Sequence, residues 1–325
     1  MYQSFQSLYT KLQEMSGDAT GSATTGQRRR FEQDINGTQS IITGTRGGKW
    51  KFLEATATET TVASQRNYDL PANLKKLLSV TVTVSTTIYQ PIVIESNELW
   101  DAILAMNLGD SDVAQFVHVR GNELLFMPEP AAASNTITYT YRRRPIELRT
   151  DDYTTGNVAA ATLVGLTITG TSTVWTAAMV GRFIRIRGTN GDNQWYEIAS
   201  RASDTSIDLQ REYQGATFTG ATDAYVIGEM SALPPEYHDL LWYRPLAIYY
   251  MMHEKFELAN YWWRLYDGGY ESGLSNEVGG LLGQMFENEQ ESIEGVMVPA
   301  TDIWDRIRNF NVNTPPSTTI TFSDL

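Results

Sequence analysis

The sequence predicts an α+β chain: a helical bundle core with a small antiparallel sheet, an inserted all-β domain and an extended C-terminal arm. Three observations carry this reading. Apolar residues recur at helical spacing near the N-terminus and again after Pro235; runs between Trp50 and Tyr141 alternate or are β-branched; and residues 158–228 are rich in Thr and Gly and poor in long helix formers. With 325 residues, 42% of them hydrophobic, the chain can bury a sizeable core divided between roughly two domains.

Phe5, Leu8, Tyr9 and Leu12 share one helical face, so a short helix opens the chain and gives way to a Gly/Ser/Thr-rich joint. Phe31, Ile35, Ile41 and Ile42 mark a second helix over Thr25–Thr43, ended by Gly44, Gly47 and Gly48. Strands are expected at Lys49–Leu53, Leu78–Val84, Ile88–Ile94, Phe116–Val119, Glu123–Met127 and Thr136–Tyr141. One helix interrupts them, capped by Ser96 or Asn97, with Leu99, Trp100, Ile103 and Leu104 facing inward.

Short strands separated by turn residues follow at Val164–Thr169, Phe183–Arg187, Trp195–Ser200, Ser206–Leu209 and Ala224–Ile227. The helical pattern after them needs partners from before them, so Tyr153–Asn157 and Gly228–Pro235 read as the two ends of an insertion. The expected division is therefore a core of 1–157 with 229–296, an inserted domain of 158–228 and an arm of 297–325. Pro235 suits a first helical turn, and Leu240, Leu241, Leu246, Ile248, Tyr249 and Met252 form a broad apolar surface, kinked at Pro245. A further helix runs from Phe256 through Tyr270 and extends toward Gln290, and about 30 residues of helix would span about 45 Å at 1.5 Å per residue. Glycines from 268 onward are the places where it would break. Pro299, Pro315 and Pro316 precede the β-prone run Ser317–Phe322, which reads as an arm able to add a strand to a sheet edge on another chain.

The chemistry is as informative in what it lacks. A net charge of −13 argues against a dedicated nucleic-acid binder, although an acidic wall around passing DNA remains compatible. With no cysteine there is no disulfide, thiolate or Cys-based zinc site. Phosphate-cradling glycine loops and a nucleophile elbow are missing, and His118, His238 and His253 fall in no metal or triad spacing. Asp110/Asp112 and Asp151/Asp152 are carboxylate pairs in turn-like sequence, where a capping role outweighs glycosidase chemistry. The sequence thus predicts no enzyme, no cofactor and no metal. Met1–Ser16 lacks the pattern of a secretory signal, and Leu240–Met252 is too short to span a membrane, so cytoplasmic synthesis and no membrane partner are expected.

Two arginine triplets, Arg28, Arg29, Arg30 and Arg142, Arg143, Arg144, are candidates for a subunit interface or for DNA phosphates. Strand alternation keeps the second triplet from presenting all three side chains to one ligand, so salt bridging at an interface is favoured. Trp242, Tyr243, Tyr249, Tyr250, Tyr261, Trp262, Trp263, Tyr266 and Tyr270 are denser than a small bundle needs, which suggests core packing for some and contact with neighbours for the rest. A competing reading makes the β-rich middle a carbohydrate- or receptor-binding module of a tail fibre or baseplate, with Trp175, Trp195 and Tyr196 exposed for sugar stacking.

Ile35-Asn36 on a helix, Trp50-Lys51-Phe52-Leu53, Tyr68-Asp69-Leu70-Pro71, Leu78–Val84, Leu125-Phe126-Met127-Pro128-Glu129-Pro130 and Tyr139-Thr140-Tyr141 occur in that order. Leu233-Pro234-Pro235-Glu236-Tyr237-His238-Asp239-Leu240 and Ala259-Asn260-Tyr261 follow. In this order the pieces resemble the head-to-tail adaptor proteins of tailed bacteriophages, over residues 25 to about 270 apart from the insert. The insert, from Thr173-Val174-Trp175-Thr176 to Ile186, is similar to small β modules of phage virion proteins. The resemblance implies a virion protein assembled as a ring of twelve below the portal, joined to a tail or nozzle protein, with an axial channel for DNA that is not bound by sequence. It also implies a portal-gripping arm, on which Ile303, Trp304, Ile307, Phe310, Ile320 and Phe322 are the candidate contacts.

Overall fold

A computed structural model describes residues 2–17, 25–106, 108–268 and 279–289. These form two units, one drawn from Met1–Gly48 and Pro145–Gln290, the other from Lys49–Arg144. Helices and mainly antiparallel sheets together make the chain α+β, as its sequence predicts. The arm residues Ile303, Trp304, Ile307, Phe310, Ile320 and Phe322 lie outside the described residues, as does Tyr270.

Helix α1 (Phe5–Ser16) begins where the Ser4 hydroxyl accepts the Ser7 N–H and ends at Gly17, whose φ of 84° suits glycine. Its buried residues Phe5, Leu8 and Leu12 follow the i, i+3, i+7 spacing read from the sequence. Helix α2 (Thr25–Gly44) buries Phe31, Ile35 and Ile42 but leaves Ile41 exposed. Two of its polar residues act as backbone substitutes. Asn36 donates to Leu148 O at 2.9 Å and accepts the Leu148 N–H at 2.8 Å, while the Gln39 amide donates to Ile146 O at 2.8 Å.

In the second unit the strand expected at Lys49–Leu53 is replaced by a 3-10 turn over Lys51–Leu53, anchored by fully buried Trp50 and Leu53. The chain continues through β1 (Glu54–Thr60), β2 (Asn67–Asp69), β3 (Leu74–Val84), β4 (Thr87–Tyr89) and β5 (Ile92–Ile94). It ends with α3 (Asn97–Ala105), β6 (Phe116–Arg120), β7 (Glu123–Met127) and β8 (Thr136–Arg143). Rather than one small sheet there are two, ordered β1-β8-β3-β4 and β2-β7-β6-β5. The run Ile88–Ile94 divides between them because Pro91 has no N–H to donate to a ladder.

Strands β6 and β7 are apolar on both faces. Val117, Leu124 and Phe126 meet Val80, Val82, Ile137 and Tyr139 of the first sheet. Phe116, Leu125 and Met127 point the other way, under Trp100 and Ile103 of α3, which is capped by the Ser96 hydroxyl. The β5–β6 pair is parallel and α3 is its crossover.

The first unit resumes with a curled six-stranded sheet: β9 (Asn157–Ala161), β10 (Thr167–Thr171), β11 (Phe183–Ile186), β12 (Trp195–Ser203), β13 (Ser206–Leu209) and β14 (Tyr225–Gly228), ordered β14-β11-β12-β13-β10-β9. The strand expected over Val164–Thr169 starts only at Thr167, since Thr162–Gly165 is a turn. Bridges from Val158 to Asp223 and from Ala161 to Phe218 bend the β9 edge back toward the segment before β14. Tyr153 and Ile227 exchange both main-chain hydrogen bonds, at 2.8 and 2.9 Å, so the chain enters and leaves the sheet across one rung.

Its interior contains Ile168, Trp175, Ile184, Ile198, Ile207, Tyr213 and Tyr225, with the Trp175 indole donating to Tyr225 Oη at 2.9 Å. Trp175 is 0%, Trp195 7% and Tyr196 6% exposed, which corrects the expectation that these three rings face solvent for sugar stacking. Curling turns one face of the sheet inward, where Trp175 and Tyr196 pack, whereas Trp195 on the opposite face of β12 is covered by Val226, Met230, Phe183 and Tyr2.

After a 3-10 turn at Pro235–Tyr237 come α4 (Leu240–Met252), α5 (Phe256–Asp267) and α6 (Gly280–Asn288). Helix α4 is apolar on most sides, burying Leu240, Leu241, Trp242, Leu246, Ala247 and Tyr250, because α1, α2 and α5 all pack on it. The helix after Phe256 breaks at the first of the glycines where its sequence placed a break. Helix α5 stops at Asp267, and Gly268 takes a φ of 92° that ends it.

Candidate functional site

The residues that join helices to β sheet in the first unit converge near the start of α1. Ser4 donates its hydroxyl to Asp152 at 2.9 Å, and Gln6 accepts the Asp152 N–H at 2.9 Å. Burial pushes the Asp152 carboxyl above the usual range, partly offset by the Ser4 hydroxyl and by Arg187. Glu229 is the hub of the junction: Oε2 accepts the N–H groups of Arg149 and Thr150 at 2.7 and 2.8 Å, and Oε1 lies 3.4 Å from Arg182. Its own carbonyl accepts the Phe5 N–H at 2.8 Å.

The two arginine triplets fall in different units. Arg28 reaches Asp151 at 2.7 Å and covers the Tyr9 ring at 5.5 Å from its centroid. Arg29 is exposed, and Arg30 lies 3.9 Å from Asp34 and donates to Met252 Sδ. On β8, Arg142 is buried, whereas Arg144 beyond the strand is exposed and donates its N–H to Asn73 O at 2.6 Å. The end of β8 at Arg143 accounts for this separation, since Arg144 has already left the sheet.

The remaining sequence candidates serve structure. Asp112 accepts the Ala132 N–H at 2.7 Å, Asp110 is exposed, and Asp151 and Asp152 are engaged as above. His118 stacks on Trp100 at 5.3 Å and donates from Nδ1 to Ile94 O at 2.7 Å; Nε2 lies 2.9 Å from Asn97 Oδ1. His238 accepts the Gln3 N–H and donates to Leu233 O, and burial lowers its pKa to about 4. His253 is exposed beside Tyr249. Among the described residues no cluster of His, Asp and Glu could hold a metal, and no helix is long and apolar enough to cross a membrane.

Sequence spacing singled out Tyr261 and Met252 but not the set of exposed apolar side chains on ordered elements to which they belong. Tyr261 is 55% exposed on α5, with Leu258, Phe256 and Met252 also exposed, while Trp242, Tyr250 and Tyr266 of the aromatic cluster are buried. Leu163, Val164 and Leu166 are exposed at the β9–β10 turn. The signal for the latter is in the sequence, since Thr154 through Gly181 contains no Asp, Glu, Lys or Arg. Apolar side chains exposed on ordered elements suit contact with other chains.

Comparison with protein-family models places the chain more closely. Residues 4–168, just over half of it, match the SU10 adaptor protein model, and the chain belongs to that family. It is a bacteriophage structural adaptor protein, a virion component that contacts other head and tail proteins. None of the curated proteins matches the chain.

Proposed function

We propose that this adaptor assembles as a ring of twelve copies that joins the portal to the tail or nozzle and continues the DNA channel. The observation that carries the reading is the family match over residues 4–168, supported by the exposed apolar side chains on ordered elements. A ring closes when one face of each subunit meets a different face of the next. The net charge of −13 suits a channel wall that DNA passes without binding by sequence.

In this reading Arg28, Arg29, Arg30, Arg142 and Arg144 serve subunit contacts or passing DNA, and the chain works as structure without catalysis, cofactor or metal. Residues 297–325, carrying Ile303, Trp304, Ile307, Phe310, Ile320 and Phe322, grip the portal. An arm held by one partner while the helices meet another raises effective concentration, so the ring forms where the portal already is. Residues 158–228 are a guest within a core of 1–157 and 229–296, a division supported by the entry and exit of the chain side by side at the rung between Tyr153 and Ile227. Assembly takes place in the host cytoplasm and ends at the head-to-tail interface.

Cryo-EM of the particle neck tests the ring, which should appear as twelve-fold density beneath the portal. Deletion of 297–325 tests the arm, and the truncated chain should stay folded while losing the portal in pull-down. Density for this chain only in peripheral fibres would overturn both.

A further inference from the structure

Strand β1 carries an open edge. It ends the order β1-β8-β3-β4, and among the described residues no main chain pairs with its other side. At seven residues it is the longest such edge of the second unit, since β4, β2 and β5 have three each. Its ladder with β8 runs from Glu54 to Thr60 without a bulge, and the strand has neither proline nor lysine. Those are the usual means of closing an edge to other strands, and only Glu59, half-buried near one end, turns a charge inward.

The two faces of β1 differ. Thr56, Thr58 and Thr60 are exposed opposite Thr140, Thr138 and Thr136, which in turn lie opposite Ser79, Thr81 and Thr83 of β3. Three rows of hydroxyls therefore cross three strands and stop at the edge. On the other face Ala55 and Ala57 are half-buried opposite Tyr141 and Tyr139 of the core cluster. A methyl group at each position is small cover for an apolar cluster, and larger side chains from a further strand would complete it.

The sequence holds a run that answers both faces. Ser317-Thr318-Thr319-Ile320-Thr321-Phe322 lies outside the described residues and contains no Asp, Glu, Lys, Arg, Gly or Pro. Laid antiparallel with Ser317 beside Thr60, it sets Thr319 beside Thr58 and Thr321 beside Thr56, a fourth column of hydroxyls. The same register sets Ile320 against Ala57, Phe322 against Ala55 and the Thr318 hydroxyl against Glu59. A slip of one residue would turn Ile320 and Phe322 to the hydroxyl face, so one register is specified.

The described chain ends at Glu289, and the roughly 28 residues from there to Ser317 reach up to about 90 Å at 3.3 Å per residue. Such a tether holds the run near its own edge at an effective concentration that a separate copy, repelled by a charge of −13, does not match.

We propose that in a chain not yet bound to portal, Ser317–Phe322 adds to the open edge of β1 in its own copy as an antiparallel strand, with Phe322 beside Ala55. Ile320 and Phe322 are then stored against the sheet. Portal gains them only by drawing the strand off, a step that rests on the arm reading.

The chain has no cysteine, so engineered thiols report cleanly. In full-length T58C/T319C, dibromobimane should bridge the two thiols, fluoresce, and leave a band at the monomer position on a denaturing gel. T58C/T318C, whose second thiol falls on the opposite face, should bridge roughly tenfold less, as should T58C/T319C carrying I320D. Equal bridging in both pairs, or none in either, overturns the strand. Bridged dimers and higher multimers overturn the assignment to the same copy in favour of a neighbour's arm. Protection of T58C from maleimide only once portal is added, without a bridge beforehand, overturns it and gives the edge to portal. Purified portal should abolish the bridge. A bridge that survives portal binding overturns the release and leaves the strand standing, while failure of the wild-type chain to bind portal overturns the arm reading and not the strand.

Discussion

The main-chain N–H of Gln3 donates to Nδ1 of His238 at 3.1 Å, joining the segment before α1 to the turn before α4 across 235 positions of sequence. The opposite nitrogen donates to Leu233 O at 2.9 Å, which fixes the neutral tautomer. Burial lowers the pKa from 6.5 to about 4, so below the ordinary value the unfolded chain takes up a proton that the folded chain refuses. The stability from this group is therefore complete above about pH 6.5, is lost as pH falls toward about 4, and totals roughly 3 kcal/mol. Urea unfolding across that window should show the slope, and His238→Gln should flatten it.

Glu229 holds three donors on its carboxylate at the junction of helices and sheet. Glu229→Ala removes the acceptor of two main-chain N–H groups and the ion-pair partner of Arg182, and should destabilise the first unit by about 2–3 kcal/mol in chemical denaturation.

Trp175 fills the centre of the β module and donates to Tyr225. Trp175→Ala should cost about 3–5 kcal/mol through the cavity it opens, and Trp175→Phe less, measured by thermal unfolding of the full chain.

Arg29 is exposed on α2 between two arginines that have partners. Arg29→Glu should leave stability within about 0.5 kcal/mol of the parent, yet weaken assembly with the portal if the triplet serves an interface. Thermal unfolding and sedimentation velocity separate the two effects.

Val164→Asn should gain about 1 kcal/mol of stability by relieving the left-handed valine. A loss of stability would mean that the apolar side chain is held by its own module.

Much of this fold was legible where large apolar residues set the period. The buried face of α1 and the existence of strands β6, β7 and β8 follow from spacing alone, as does the face of α2 apart from the exposed Ile41. Strand β1 escaped because its Ala-Thr alternation, Glu54–Thr60, carries no large apolar residue, and its place in the sheet comes from β8. The turn at Lys51–Leu53 was misread as a strand because Trp50, Phe52 and Leu53 have strand-like composition while their burial is that of an anchor. Aromatic residues in short strands showed that rings were present but not which way they pointed, so Trp175, Trp195 and Tyr196 were given to the wrong side. The turn at Leu163–Leu166 was hidden for a different reason. Glycine sits one position after the residue that needs its conformation, so the turn chemistry and the sequence disagree there.

The rung between Tyr153 and Ile227 also decides how force travels. Tension applied along the chain from Asp152 to Gly228 reaches this rung first, with the rungs at Val158–Asp223 and Ala161–Phe218 behind it, while Phe183 of β11 holds Gly228 and shares the pull. The mouth of the β module therefore takes the load step by step before its core is strained.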